Sequence, residues 1–202
     1  MEVHHVTEGA ETFTCNAYLA VGERTTLVDV GSYDGVVDRI GDHVDDVAAV
    51  VLTHQHRDHV GELEAVCEAF DPEVHAYADH PLGSHAIDDG DRLTIGDEAF
   101  EVVYTPGHAD DHVSFVSETT LFSGDVVVHD DGAFEYGSFG RTDMPGQSRE
   151  RLIGSIERLL ETLPEGVDHM YAGHGSVFHG DVHDVVETAL ERAKRREPKY
   201  PE

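Results

Sequence analysis

The sequence predicts an α/β fold in which sheets are covered by helices, organised as a single domain over residues 1–202. Three observations predict it. Short apolar runs rich in β-branched residues recur, each bounded by Gly, Asp or Pro, as strands are. Stretches of helical periodicity lie among them and close the chain. At 202 residues and 39% hydrophobic, the chain is long enough for one substantial core and short for two.

In chain order, strands are expected at 17–21, 25–30, 47–53, 74–77, 100–104, 113–117, 120–123 and 167–171. Each combines β-branched or aromatic residues with a turn-forming neighbour. Helices are expected at 59–70, 148–163 and 181–196, with a weaker one at 34–44. No repeat, low-complexity tract or long linker divides the chain.

Charge narrows the function classes. There are 42 Asp and Glu against 13 Lys and Arg, a formal net charge of −29 spread over the whole chain. Such a surface repels nucleic acid phosphates, so a nucleic acid partner is not expected. It also repels itself at low ionic strength, whereas molar salt screens the repulsion. A salt-rich, halophilic cytoplasm is the expected setting. The N-terminal residues lack a basic region followed by an apolar stretch, and no apolar run is long enough to span a bilayer. A cytoplasmic protein with no membrane partner is therefore expected, its oligomeric state left open. Cys15 and Cys67 lack metal-ligand spacing and are expected as free thiols. The cluster Arg192, Lys194, Arg195 and Arg196 suits a helix C-terminus, where cations are favoured.

Chemistry concentrates in Thr53-His54-Gln55-His56-Arg57-Asp58-His59-Val60-Gly61, at the junction of an expected strand and helix. Residues two apart in extended chain point the same way, so His54 and His56 can address one metal ion. After a turn, Asp58 and His59 can face a second position. Neutral imidazole and carboxylate are standard zinc ligands. So many rings at one strand end would each need a buried hydrogen-bond partner if they belonged to a core. Further candidates follow other expected strands: His108 in Pro106-Gly107-His108, Asp125 in Ser123-Gly124-Asp125, and His174 in Gly173-His174-Gly175.

The HxHxDH signature, followed in order by Gly-His, Gly-Asp and Gly-His-Gly, resembles the metallo-β-lactamase superfamily over essentially the whole chain. The resemblance implies a four-layer αββα sandwich and two divalent metal ions, zinc first and iron as the alternative. His54, His56 and His108 would hold one ion, and Asp58, His59 and His174 the other, with Asp125 bridging. The metals would activate water for attack on a carbonyl. Asp58 would orient that water or carry its proton, and Asp29 would orient a metal loop. His112, four residues after His108, corresponds to a position usually structural in the family.

Gly140-Arg141-Thr142-Asp143-Met144-Pro145-Gly146 resembles a stretch of glyoxalase II-like members, which hydrolyse thioesters of small molecules. The expected activity is hydrolysis of a thioester, ester or lactone. Only one helix and a tail follow His174, so the glutathione-binding helical domain of authentic glyoxalase II is not expected. The alternative on this fold is a persulfide dioxygenase with one iron on His54, His108 and Asp125. Phe134, Tyr136 and Phe139 are read either as a pocket wall or as aromatics packed beneath a surface loop.

Overall fold

The computed structural model describes residues 1–196. The chain forms two compact units, residues 1–100 and 101–202.

The first unit holds β1 (Glu2–His5), β2 (Tyr18–Val21), β3 (Thr26–Val28), α1 (Val36–Gly41), β4 (Ala49–Val51), α2 (Arg57–Val60), α3 (Leu63–Phe70), β5 (Glu73–Ala76), β6 (His85–Ala86) and β7 (Arg92–Ile95). Its sheet runs β1-β2-β3-β4-β5-β6. The first three strands are antiparallel and β3 to β6 are parallel. Period-2 alternation sets the faces. Leu27, Val50, Leu52, Val74 and Ala76 share a core with Val36 and Ile40 of α1 and Leu63 and Val66 of α3. Ala49, Val51 and the polar Glu73 and His75 alternate with them and occupy the opposite face.

The expected helix at 59–70 is two helices, broken at Gly61 and Glu62. The cause is a long-range claim on the backbone. The His59 carbonyl accepts from the N–H groups of Val30 (3.0 Å) and Gly31 (3.2 Å), and the Glu62 N–H donates to the Gly31 carbonyl (3.0 Å). Groups needed to continue the helix are thus spent on the loop after β3. Gly61 fits there because a Cβ would press on Ser32 Cβ (2.8 Å) and the Arg57 carbonyl oxygen (2.9 Å).

The second unit begins within β8 (Glu98–Tyr104). It continues with β9 (Val113–Val116), β10 (Thr120–Gly124), β11 (Val127–Val128), β12 (Ser138–Phe139), α4 (Arg149–Thr162), β13 (His169–Ala172), β14 (Phe178–His179) and α5 (Val182–Lys194). The second sheet runs β14-β13-β10-β9-β8-β7, with β10 and β13 parallel. The apolar stripes of α4 (Leu152, Ile156, Leu159) and α5 (Val182, Val185, Val186, Ala189) share a core with Leu121 and Met170. Both helices start as expected, with Ser148 Oγ accepting from the Arg151 N–H and Asp181 Oδ1 from the Asp184 N–H.

Phe139 is fully buried in this core and Phe134 and Tyr136 pack against it. Arg192 stacks on Phe134 and Arg149 on Phe139. Of the two readings of these aromatics, packing beneath a loop is the one observed. Both cysteines are free thiols, Cys15 buried and Cys67 half-buried, where burial and the nearby Asp71 push the Cys67 thiol up.

Candidate metal centre

In the first unit, the strand–helix junction is organised by Asp29. Asp29 follows β3 in the left-handed region (φ 56°) and is 2% exposed. Its Oδ1 accepts from the Thr53 N–H (2.8 Å), and its Oδ2 accepts from Thr53 Oγ1 (2.7 Å) and from His59 Nδ1 (2.8 Å). Thr53 Oγ1, its proton given to Asp29, accepts from His54 Nδ1 at 3.1 Å. The carboxylate thus steers two imidazoles, one directly and one through a hydroxyl. With Nδ1 of each ring committed, Nε2 is the atom left for a metal.

The donors then pair at distances that suit a common ion. Adjacent ligands on a tetrahedral zinc lie about 3.3 Å apart, given the usual Zn–N lengths. His54 Nε2 lies 3.0 Å from His56 Nδ1. Asp58 Oδ2 lies 3.9 Å from His59 Nε2. The sequence-predicted residues of this unit therefore form two donor pairs, His54 with His56 and Asp58 with His59. His56 caps α2 in an extended conformation, and Asp58 and His59 sit in its first turn. His54 and His59 are buried, and His56 and Asp58 are half-buried.

In the second unit, Asp125 is the centre. Its Oδ2 lies 3.3 Å from His108 Nε2 and 3.5 Å from His174 Nε2. One carboxylate standing between two imidazoles is the arrangement a bridging ligand needs. Local backbone features aim it. β10 shifts register against β13 between Phe122 and Gly124, and Gly124 is left-handed (φ 54°), so the strand turns at Asp125.

Two contacts then fix Asp125 and His108. The Asp125 N–H donates to His112 Nε2 (2.8 Å), and His112 Nδ1 donates to Thr105 Oγ1 (2.8 Å). Thr105 Oγ1 lies 3.1 Å from Ser114 Oγ, which donates to the Ser123 carbonyl (3.0 Å). His112 is therefore a buried positioning residue, in keeping with the structural role expected of it. On the other side, His108 Nδ1 donates to the Arg141 carbonyl (3.0 Å), which leaves Nε2 for a metal. Gly140 lies against both: a Cβ there would overlap the Asp125 carbonyl oxygen and crowd His108 Nδ1 (3.0 Å). The Gly140–Arg141 segment thus works through its backbone. The Arg141 side chain turns outward to Asp143, whose carboxyl it holds below the usual range.

Thr53, Thr105, Gly140 and the Arg141 carbonyl were not legible as site residues. The only available signals were a threonine beside His54 and a glycine-arginine pair whose meaning is backbone geometry.

The donor set, its orienting carboxylate and the folds of the two units together define a metallo-β-lactamase superfamily protein, and the profile of the Metallo-beta-lactamase superfamily matches residues 10–200. The chain belongs to that superfamily. Among its relatives it is glyoxalase II-like. It is 32% identical over 152 residues to the hydroxyacylglutathione hydrolase of Vibrio cholerae, a match covering 73% of this chain and 56% of that one. It is 31% identical over 187 residues to a "Probable metallo-hydrolase YqgX" of Bacillus subtilis, covering 79% and 84%. A solved structure of TTHA1623 in a di-iron-bound form superposes with a TM-score of 0.68 and 29% identity, covering 92% of this chain and 95% of that one. The matched segment spans about half the length of the first curated relatives. Superfamily members bind divalent metals, and the histidine-rich donor pairs fit that chemistry.

One prediction follows from Asp29. Asp29→Ala removes the acceptor for the Thr53 N–H, Thr53 Oγ1 and His59 Nδ1. Metal affinity should fall roughly 10–100-fold, the usual cost of losing a partner that orients a ligand. Competition with a chromophoric chelator measures it. Affinity within twofold of the parent would show that the rings hold their aim without Asp29.

Proposed function

We propose that the two units act as one catalytic domain that holds two divalent metal ions and hydrolyses a thioester or a related ester or lactone. The observation that carries this reading is the Asp125 carboxylate standing between His108 and His174 at 3.3 and 3.5 Å. In it, His54, His56 and His108 would hold the first ion, Asp58, His59 and His174 the second, and Asp125 would be shared between them. When bound, such a pair of ions supplies hydroxide near neutral pH and counters charge on the substrate oxygen. The chain's own part is positional. Asp29 and Thr53 hold His54 and His59, the Arg141 carbonyl holds His108, and His112 holds the backbone of Asp125. Asp58, half-buried, orients the attacking water or carries its proton.

The similarity to hydroxyacylglutathione hydrolases supports thioester chemistry on a small molecule. The test is elemental analysis of protein purified without chelators, followed by turnover of acyl thioesters and lactones. About two zinc per chain with hydrolysis supports the reading. About one iron with oxygen consumption on a persulfide overturns it in favour of the dioxygenase.

The same reading places the enzyme in a salt-rich cytoplasm, on the strength of the −29 formal charge. Among the described residues no helix is long and apolar enough to cross a membrane. Raising KCl from 0.1 M to 2 M should raise the thermal midpoint by about 10 °C, the shift that roughly 3 kcal/mol produces in a chain of this size. A flat salt profile by circular dichroism would remove the high-salt assignment.

A further inference from the structure

A second concentration of chemistry lies in the first unit, on the sheet face turned away from α1 and α3. A cavity of about 240 Å³ is lined by Arg24, Ala49, Val51, His75, Arg92, Leu93 and Thr94. Strand register builds its floor. Val51 pairs with His75 and His75 with His85, while Ala49 pairs with Glu73, and cross-strand partners share a face. The His75 and His85 rings stack at 4.8 Å. Ala49, Val51 and Leu93 give the floor an apolar part.

The rim is fixed in place. The Arg24 N–H donates to the Gly96 carbonyl (3.0 Å) and the Gly96 N–H to the Arg24 carbonyl (2.9 Å). The Glu23 N–H donates to Asp97 Oδ1 (2.7 Å), and Thr26 Oγ1 donates to the Arg24 carbonyl (2.9 Å). These bonds tie the turn before β3 to the turn after β7, and both arginines stand on tied segments.

Charge is the decisive observation. This chain has 42 acidic residues and only 13 Lys and Arg, yet two of its arginines and a half-buried histidine face one cavity. Arg24 pairs with Glu73. Arg92 has no acidic partner among the described residues. In so acidic a chain, random placement would surround a guanidinium with carboxylates. An unpaired one over a cavity presents a free fork of donors suited to an oxyanion.

We propose that this cavity binds a small organic dianion, its carboxylate or phosphate head on Arg92 and Arg24 and a short carbon stem on Ala49, Val51 and Leu93. The volume agrees: 240 Å³ is about eight waters at roughly 30 Å³ each, the space of a dianion of a few carbons. The site is distinct from the metal residues but connected to them by backbone. The Val51 carbonyl accepts from the Asp29 N–H (3.0 Å), and the Leu52 N–H donates to the His75 carbonyl (3.0 Å). A ligand seated against Val51 and His75 thus braces β4, which leads into Thr53 and His54 and holds the Asp29 N–H at the end of β3.

The test is calorimetric titration of the metal-loaded protein with inorganic phosphate and with succinate at constant ionic strength. Arg92→Gln and Asp125→Asn are titrated alongside. Saturable binding of at least one probe is expected, weakened roughly tenfold or more in Arg92→Gln, as loss of one charged hydrogen bond predicts. Binding should survive in Asp125→Asn. Whichever probe binds tighter identifies the head group. Absence of saturable binding by both probes overturns the proposal. Binding that survives unchanged in Arg92→Gln and is lost in Asp125→Asn also overturns it, by placing the anion at the metal residues. These readouts are binding isotherms, so they stand whether or not thioesters are hydrolysed.

Discussion

Asp125→Asn should lower turnover by about three orders of magnitude, a loss of ~4 kcal/mol of transition-state stabilisation, and, on the proposed two-metal reading, should reduce the metal content to one ion per chain or none. The substitution keeps the shape of the side chain and removes its charge. In the parent, Oδ2 is 3.3 Å from His108 Nε2 and 3.5 Å from His174 Nε2, so one atom serves both imidazoles. An amide oxygen is a poor bridge between two cations, and a rotated amide offers N–H donors where a lone pair is needed. Asp125 is nearly fully buried, so water does not substitute easily. The backbone contacts to His112 and Gly140 involve main-chain atoms and persist in the variant. The thermal midpoint without metal should therefore stay near that of the parent, which separates loss of metal from loss of fold. A variant that retains two ions and works within threefold of the parent would rule out the bridging assignment.

Gly140→Ala should be damaging although it adds one methyl group and removes no functional group. The added Cβ would overlap the Asp125 carbonyl oxygen and lie 3.0 Å from His108 Nδ1 and 3.1 Å from His108 Cβ. Backbone cannot swing aside like a flexible side chain, so the strand end carrying Asp125 must move. Overpacking of this kind costs about 1–3 kcal/mol. A displacement near 1 Å at a reacting centre costs on the order of 10²-fold in rate. Thermal denaturation and chelator competition should both register the change. Gly154→Ala is the matched control: it lies within α4 and meets nothing within 4 Å, so it should stabilise by about 0.5–1 kcal/mol. A Gly140→Ala enzyme indistinguishable from that control would show that the close approach is not functional.

Much of this architecture was legible because its signals are local. The strands through Val28, Val51, Tyr104 and Gly124 announce themselves by β-branched runs, and metal-binding candidates follow three of them after short turns. α4 and α5 follow their periodicity to within two residues at each end. The features that escaped include β1 and β7, four-residue strands mixed with charged and histidine residues, and others that are long-range or too short for a period. β6, β11, β12 and β14 are two-residue strands, defined by partners rather than pattern. The break between α2 and α3 depends on amides of Val30 and Gly31, about thirty residues upstream. The Gly140–Arg141 segment carries a family resemblance in sequence. Its physical role, a carbonyl for His108 and an absent side chain beside Asp125, belongs to the folded backbone and has no periodic trace.

The chain of bonds behind Asp125 begins on the Asp125 N–H and ends on the Ser123 carbonyl, passing through His112, Thr105 and Ser114. Hydroxyl and imidazole chains can often reverse direction, with every proton shifting to the other side of its bond. Here both ends are main-chain groups, one a donor and the other an acceptor, and neither can exchange roles. The imidazole in between is therefore fixed as a Nδ1–H tautomer, accepting at Nε2 and donating at Nδ1, while the Thr105 hydroxyl can turn to Ser114 Oγ or to the Val103 carbonyl. The Asp125 backbone is thus held by an imidazole whose tautomer is dictated by a main-chain donor, so the contact that positions the carboxylate cannot be lost by a tautomer switch without leaving that N–H unpaired.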